Sequence, residues 1–446
     1  KNKESLKQWK QKHFNETLKH QALIEELEKD YPEYYQLKYK LQSVSLDKLQ
    51  ASLDEQTIVL SYFIGIEKGY IFALSAEDYQ VISLNLPPNF NQQIQDYLNT
   101  IHAQNFQAFT KQSHALYCLL VQPLADFIFD IFDDELKKLV IIPDASLQYL
   151  PFETLIGEEV TDLQSTSYHE LDYLLNHSQI QYHYSTTLYH QYLQKSKAKR
   201  QADSLQPPTT SNKNNVDFMG FAPIYTSDKE ETQAVMRSLA ADYSQWATRS
   251  EAIRGSNLTP LPFSEEEVEN IEGLFAQKGL NGQSLLYDTA TKDHFKSLAS
   301  NAQYLHIAAH GLTNDQFPKL SGIVFHPEEN TIDIHDNVLS MGEIYQLQLE
   351  ADLVVLSSCE SGIGKLAKGE GMMGINRGFL YAGAKNVVYT LFKVLDKPSS
   401  ELCQAFFAAI LEGKSYSEAL RLAKLQLIHQ KSLDPKSWCG FVLLGA

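Results

Sequence analysis

Asp352-Leu353-Val354-Val355-Leu356-Ser357-Ser358-Cys359-Glu360-Ser361-Gly362 is the stretch whose reading decides the fold class of this chain. Its run of Leu and Val lacks the alternation of a half-buried strand, so it reads as a strand covered on both faces, as in a parallel sheet. The run passes straight into serines, a cysteine and a glycine, which marks the exit from strand to loop. In open α/β sheets ligands sit just outside the carboxyl ends of the strands, so a cysteine at that tip is placed for chemistry.

A second stretch, Tyr304-Leu305-His306-Ile307-Ala308-Ala309-His310-Gly311, matches the first as a short apolar strand ending in histidine and glycine. His310 and Cys359 stand 49 positions apart (359 minus 310). Two neighbouring parallel strands with these tips bring an imidazole beside a thiol, and the imidazole then generates the thiolate, the nucleophilic form. His306 and His310 are four apart, but the glutamate of H-E-x-x-H is missing, and on a strand positions four apart lie ~13 Å from one another. No metal centre is therefore expected. His306 reads as a satisfied structural residue, and His310 keeps the functional role. Gly311 allows close backbone approach, so its amide and that of Cys359 are the expected oxyanion hole. The glycine-rich loop from Gly362 to Gly371 lacks the spacing of a phosphate-binding loop and carries acids, so no nucleotide cofactor is expected, and no G-x-S-x-G elbow supports a serine hydrolase.

The other three cysteines, Cys118, Cys403 and Cys439, sit in apolar sequence and read as buried structural thiols. Four scattered cysteines make neither a disulfide framework nor a zinc site and fit a reducing, cytoplasmic setting. The net charge of −17 argues against binding to nucleic acid or anionic membrane. No apolar run approaches the ~18 residues that span a bilayer, and Lys1 to Lys12 are too polar for a signal peptide. At 446 residues the chain exceeds one ordinary core, and opening on Lys1 rather than methionine it reads as a piece of a longer one.

The periodicities predict a helical segment over 1–50, the end of a region continuing upstream, followed by an α/β block over 51–195. Within that block, strands are expected at 56–64, 70–75, 80–85, 139–144 and 180–184, with helix from about 90 to 130 broken near Pro123. Residues 196–215, polar and rich in Pro, Ser, Thr and Asn, read as a flexible linker open to cleavage. A second α/β block follows over 216–446. Ser264 with Glu267 reads as a capping box opening a helix to about Gln277. Further helices are expected at 371–382, 398–412 and 416–430, with strands at 386–391 and 440–444. Strands alternating with helices predict a parallel sheet with helices on both faces.

Leu305-His-Ile-Ala-Ala-His-Gly311, Val354-Val-Leu-Ser-Ser-Cys-Glu-Ser-Gly-Ile-Gly364, Gly369-Glu-Gly371, Gly378-Phe-Leu-Tyr-Ala-Gly-Ala384 and Trp438-Cys-Gly-Phe-Val-Leu-Leu-Gly445 together resemble the CHAT domain, a family of caspase-like cysteine peptidases of clan CD. The resemblance extends back through Leu139–Glu153 and more weakly to about residue 50. Caspases likewise place the histidine roughly 50 residues before the nucleophile. The resemblance implies a separase-like arrangement, a pseudo-protease half followed by an active protease half, with His310 as general base and Cys359 as nucleophile. It further implies a bacterial, partner-activated endopeptidase of the antiviral-defence type, cleaving a gasdermin or another effector, with a regulatory protein docking on the helical N-terminal side. A latent or inactive caspase-like scaffold acting by protein–protein contact is the alternative. Phe392-Lys-Val-Leu-Asp396 departs from the family's Trp-x-Val-Asp-Asp, and Glu360 stands where caspases carry arginine, so aspartate specificity is not implied. Ser357, Glu360 and Asp396 are the candidate substrate-binding residues.

Overall fold

The computed structural model describes residues 43–66, 68–130, 136–205, 216–223, 253–254, 257–258, 261–312, 321–328, 334–357, 365–367 and 371–445. Residues 1–48 and 49–446 form two separate compact units. Of the expected helical segment, only the turn Leu46–Gln50 falls within the described residues.

Eleven strands of the second unit join in one sheet. β1 (Thr57–Ile64), β2 (Lys68–Leu74) and β3 (Tyr79–Asn85) form the expected antiparallel meander at one edge. β4 (Lys137–Ile142) and β5 (Ser178–Tyr182) continue parallel to β1. Beyond β6 (Val216–Ala222), the two-residue strands β7 (Ile253–Arg254) and β8 (Asn257–Leu258) pair with each other. β9 (Gly282–Leu286) and β10 (Ala302–Ile307) flank β6, while β11 (His310–Leu312), β12 (Gly322–Val324) and β13 (Val338–Ser340) make a small separate sheet. β14 (Leu353–Leu356) pairs with β10, and β15 (Lys365–Ala367) with β16 (Gly371–Met373) as a hairpin. β17 (Asn386–Thr390) and β18 (Phe441–Leu444) complete the large sheet, whose order is β3-β2-β1-β4-β5-β18-β17-β14-β10-β6-β9.

The two expected α/β blocks share this one sheet. β18 is the seam: it runs parallel to β5 and antiparallel to β17. β1, β4 and β5 consequently point opposite to β6, β10, β14 and β17, and the carboxyl ends of these two sets lie on opposite edges. His310 lies beyond the carboxyl end of β10, a strand of the second block.

Helices pack over both faces. Phe90–His102 and Phe106–Leu120 are two helices where one long stretch was expected. Gln104 takes a left-handed φ of 54°, and the Asn105 side chain then caps the second helix by accepting from the Ala108 amide at 3.1 Å. Thr186–Leu205 is a single helix, so the first half of the expected linker is helical. Its Lys, Ala, Arg and Gln content favours helix, and nothing breaks it before Pro207. Residues 206–215 lie outside the described residues. The expected helix from Gly371 begins only at Ile375, because the glycines before it favour the extended β15–β16 hairpin.

Between the halves, the Lys424 ammonium donates to Glu153 Oε1 at 2.8 Å and the Tyr182 hydroxyl to Glu153 Oε2 at 2.6 Å. Lys424 and Glu153 are each 1% exposed. Trp438 is fully buried edge-on to Tyr173 at 5.2 Å, and the Arg377 guanidinium lies 5.5 Å over the Tyr184 ring.

A half-exposed acid network holds the small sheet beside the site. Burial works against ionising Glu343, but hydrogen bonds from Lys292, Lys296 and the Ser340 amide outweigh it and hold the carboxyl at about 2. A pKa depressed in the folded state gives stability that is present above the unfolded value and lost as pH falls toward 2. Urea midpoints of the parent chain and of Glu343→Gln are expected to differ at pH 6 and to converge on acidification from about pH 4.3, the unfolded glutamate value, down to 2.

Candidate active site

β10 and β14 are adjacent, parallel and buried, as the two apolar stretches predict. Their register pairs Tyr304 with Leu353, Leu305 with Val354, His306 with Val355 and Ile307 with Leu356, an offset of 49 in every case. The ladder runs one step further, with the Ser357 amide donating to the Ile307 carbonyl at 3.0 Å. Then the chains part. The Ala308 amide turns to the Phe221 carbonyl at 2.9 Å, and His310 opens β11 opposite Val324.

His310 is 4% exposed and Gly311, facing Ile323, is buried beside it. Ser357 is half-buried at the tip of β14. Cys359 and Glu360 lie outside the described residues. Asp396 begins the Asp396–Leu411 helix, and its Oδ2 accepts from the Phe263 amide at 3.1 Å. Burial pushes its carboxyl up, the Phe263 bond opposes this, and the nearby Glu267 charge adds to the rise.

His306, expected to be a satisfied structural residue, has an acidic partner that the sequence reading assigned elsewhere. Its Nε2 lies 2.6 Å from Glu267 Oε1. The expected Ser264/Glu267 capping box is not formed. Ser264 Oγ donates instead to the Leu261 carbonyl at 2.8 Å, and the Ser264–Gln277 helix starts without a side-chain cap. Glu267 was recruited by the core because it falls in the helix's buried stripe with Val268, Ile271 and Phe275. That position was the available signal, since a carboxylate among core residues requires a partner.

The helix comes this close because β6 presents Gly220 where it packs. A Cβ on Gly220 would overlap Val268 Cγ1 and the Phe218 ring. Gly220→Ala is expected to cost about 1–3 kcal/mol through overpacking, read as a lowered urea midpoint with an unchanged slope. Of the three cysteines expected to be structural, Cys403 and Cys439 are fully buried, and their thiols are pushed well up by burial. Cys118 is half-buried, with its sulfur 3.5 Å from His114 Nε2.

A mostly parallel sheet flanked by helices, with a buried histidine where a central strand leaves the sheet, defines a mixed α/β protein. The CHAT domain family matches residues 110–446, and the chain belongs to that family, one of cysteine peptidases. Tetratricopeptide repeat protein 28 of Homo sapiens is 28% identical over 217 residues, which are 42% of this chain and 8% of that protein. Its Mus musculus counterpart is 26% identical over 222 residues, 42% of this chain and 9% of that protein. The chain thus spans less than a tenth of the length of these curated relatives. Among solved structures, the Saccharomyces cerevisiae separase–securin complex aligns with a TM-score of 0.44 at 10% identity, over 90% of this chain and 30% of that one. The Arg-specific cysteine proteinase gingipain R aligns with a TM-score of 0.43 at 9% identity, over 74% of this chain and 68% of that one. Among the described residues, no helix is long and apolar enough to cross a membrane.

Proposed function

We propose that the chain is a cysteine endopeptidase that cleaves a protein substrate through His310 and Cys359. The Cys359 thiolate attacks the scissile carbonyl carbon, forming the S–C bond while His310 holds the thiol proton. The amides of Gly311 and Cys359 hold the oxyanion. As the C–N bond breaks, His310 gives its proton to the leaving amine, and water then releases the acid from the thioester.

The observation that supports this reading is the register. Every β10–β14 pair is offset by 49, the separation of His310 and Cys359, so Ile307 and Leu356 leave the sheet level with each other, each three residues before its candidate dyad member in sequence. Ser357, Glu360 and Asp396 are proposed subsite residues; the Phe263 bond leaves Asp396 only its second oxygen for that role. Activation by a protein docking on the helical N-terminal side, and cleavage of a gasdermin or similar effector in bacterial defence, rest on the family resemblance. The curated relatives reported above are mammalian.

The test is mass-spectrometric labelling of the purified chain with a library of peptidyl electrophiles. Selective modification of Cys359 that disappears in His310→Ala is the expected result, and the preferred peptide reports the specificity pocket. Labelling that is absent both alone and with candidate partners would make the protein a scaffold.

A further inference from the structure

Three buried polar side chains from three elements meet beneath β10: His306, Glu267 of the Ser264–Gln277 helix, and Cys403 of the Asp396–Leu411 helix. Their donor atoms lie within 4.8 Å of one another. His, Cys and Glu are zinc ligands, but the geometry is not that of a metal centre. Two ligands each about 2.1 Å from a tetrahedral zinc stand about 3.4 Å apart. Glu267 Oε1 and His306 Nε2 are 2.6 Å apart, the distance of a direct hydrogen bond. Burial, with the nearby Glu267 charge adding to it, pushes the Cys403 thiol well up. His306 Nδ1 has no hydrogen-bond partner among the described residues. Placing the proton on Nε2, donated to the carboxylate, avoids burying an unpaired N–H.

Stability alone gives no reason for such a network, since well-packed apolar residues in its place are often neutral or stabilising. Nor does register require it, because β10 is already hydrogen-bonded to β6 and β14. What distinguishes the network is its place. His306 is the last polar anchor before the chain quits the large sheet after Ile307 and delivers His310. The same helix is tied again at its start, where the Phe263 amide bonds to Asp396, the first residue of the helix that carries Cys403. The base-bearing strand and the segment leading out of β17 are thus both tied to one helix, the first through Glu267 and the second through Asp396 at the helix start.

We infer that Glu267 and His306 are positioning residues for His310, fixing the height and twist at which its strand leaves the sheet, an inference that rests on the dyad proposed above. A tolerance of about 0.5 Å is what such constellations require, and a misplacement of about 1 Å costs on the order of a hundredfold.

The test needs no substrate. Alkylation of Cys359 by iodoacetamide is followed by peptide mass spectrometry from pH 5 to 10 in the full chain and in His310→Ala, Glu267→Gln and His306→Phe. Phenylalanine keeps the aromatic packing of His306 against Phe218 and Phe407. Circular dichroism and urea titration report how much of each variant is folded. In folded Glu267→Gln and His306→Phe, alkylation at pH 7 is expected to fall about tenfold, and its inflection to move up toward the ordinary thiol range near 8.5. The double variant Glu267→Leu/His306→Phe removes both polar partners, so it serves if a single variant does not fold, with the same shifted profile expected. Folded variants with the parent profile would overturn the inference and leave a purely structural network. A parent profile identical to that of His310→Ala would instead sink the dyad itself, and this inference with it.

Discussion

Replacing His310 by alanine in the full chain is expected to lower kcat/KM on the peptide selected by labelling by about 10²–10⁴-fold, the usual contribution of a positioned general base. The loss should fall on kcat with KM little changed, because in the proposed mechanism the imidazole moves a proton in the transition state and is not asked to hold the ground-state peptide. Without it, Cys359 is a thiol of ordinary range with only a few per cent thiolate at neutral pH, and the leaving amine has no acid. Activity of the variant should therefore climb through about pH 8.5 rather than level off below it. Cys359→Ala should show no turnover, since no other cysteine can take its proposed role: Cys403 and Cys439 are buried in the core, and Cys118 lies within a first-block helix. A loss of less than tenfold in His310→Ala would assign the base elsewhere. A loss confined to KM would make His310 a substrate-binding residue.

What was legible in the sequence is what local pattern encodes. β14 and β10 were readable because unbroken apolar runs ending in small polar residues have few alternatives, and their side-by-side placement follows from the shortness of parallel crossovers. The β1–β3 meander and the last two helices were readable for the same reason. Partnerships between distant segments were not. Nothing local in Phe441–Leu444 tells that the final strand lies in the middle of the sheet, between β5 and β17, or that it reverses the direction of one half against the other. The Ser264/Glu267 pattern has the right letters for a capping box, but the burial of Glu267 overrode the local motif. The polar composition around residue 200 suggested a linker, yet helix-forming polar residues carry the helix through to Leu205.

The Lys424–Glu153 pair, 271 residues apart in sequence, was equally invisible, and its disruption carries the largest expected change in stability. Lys424→Ala leaves the Glu153 carboxylate buried with the Tyr182 hydroxyl as its remaining partner. Removing one member of a buried pair typically costs about 3–5 kcal/mol, because the surviving charge keeps its desolvation penalty and loses its compensation. Against a total of roughly 5–15 kcal/mol for a folded domain, that is enough to populate unfolded chains at 37 °C. Glu153→Leu strands the ammonium and should cost a similar amount. The double variant Lys424→Met/Glu153→Leu should recover most of the loss, because both charges are then gone and their volume is filled. Urea midpoints for the four proteins close the cycle, and a coupling near zero would mean that the charges are not paired in solution. The pair sits at the seam where β5 meets β18, so the single variants should also expose the junction of the two halves to proteolysis before the rest of the sheet. Cleavage that starts elsewhere would mean that the halves are held together chiefly by the apolar packing of Trp438 against Tyr173, with the ion pair contributing little to their union.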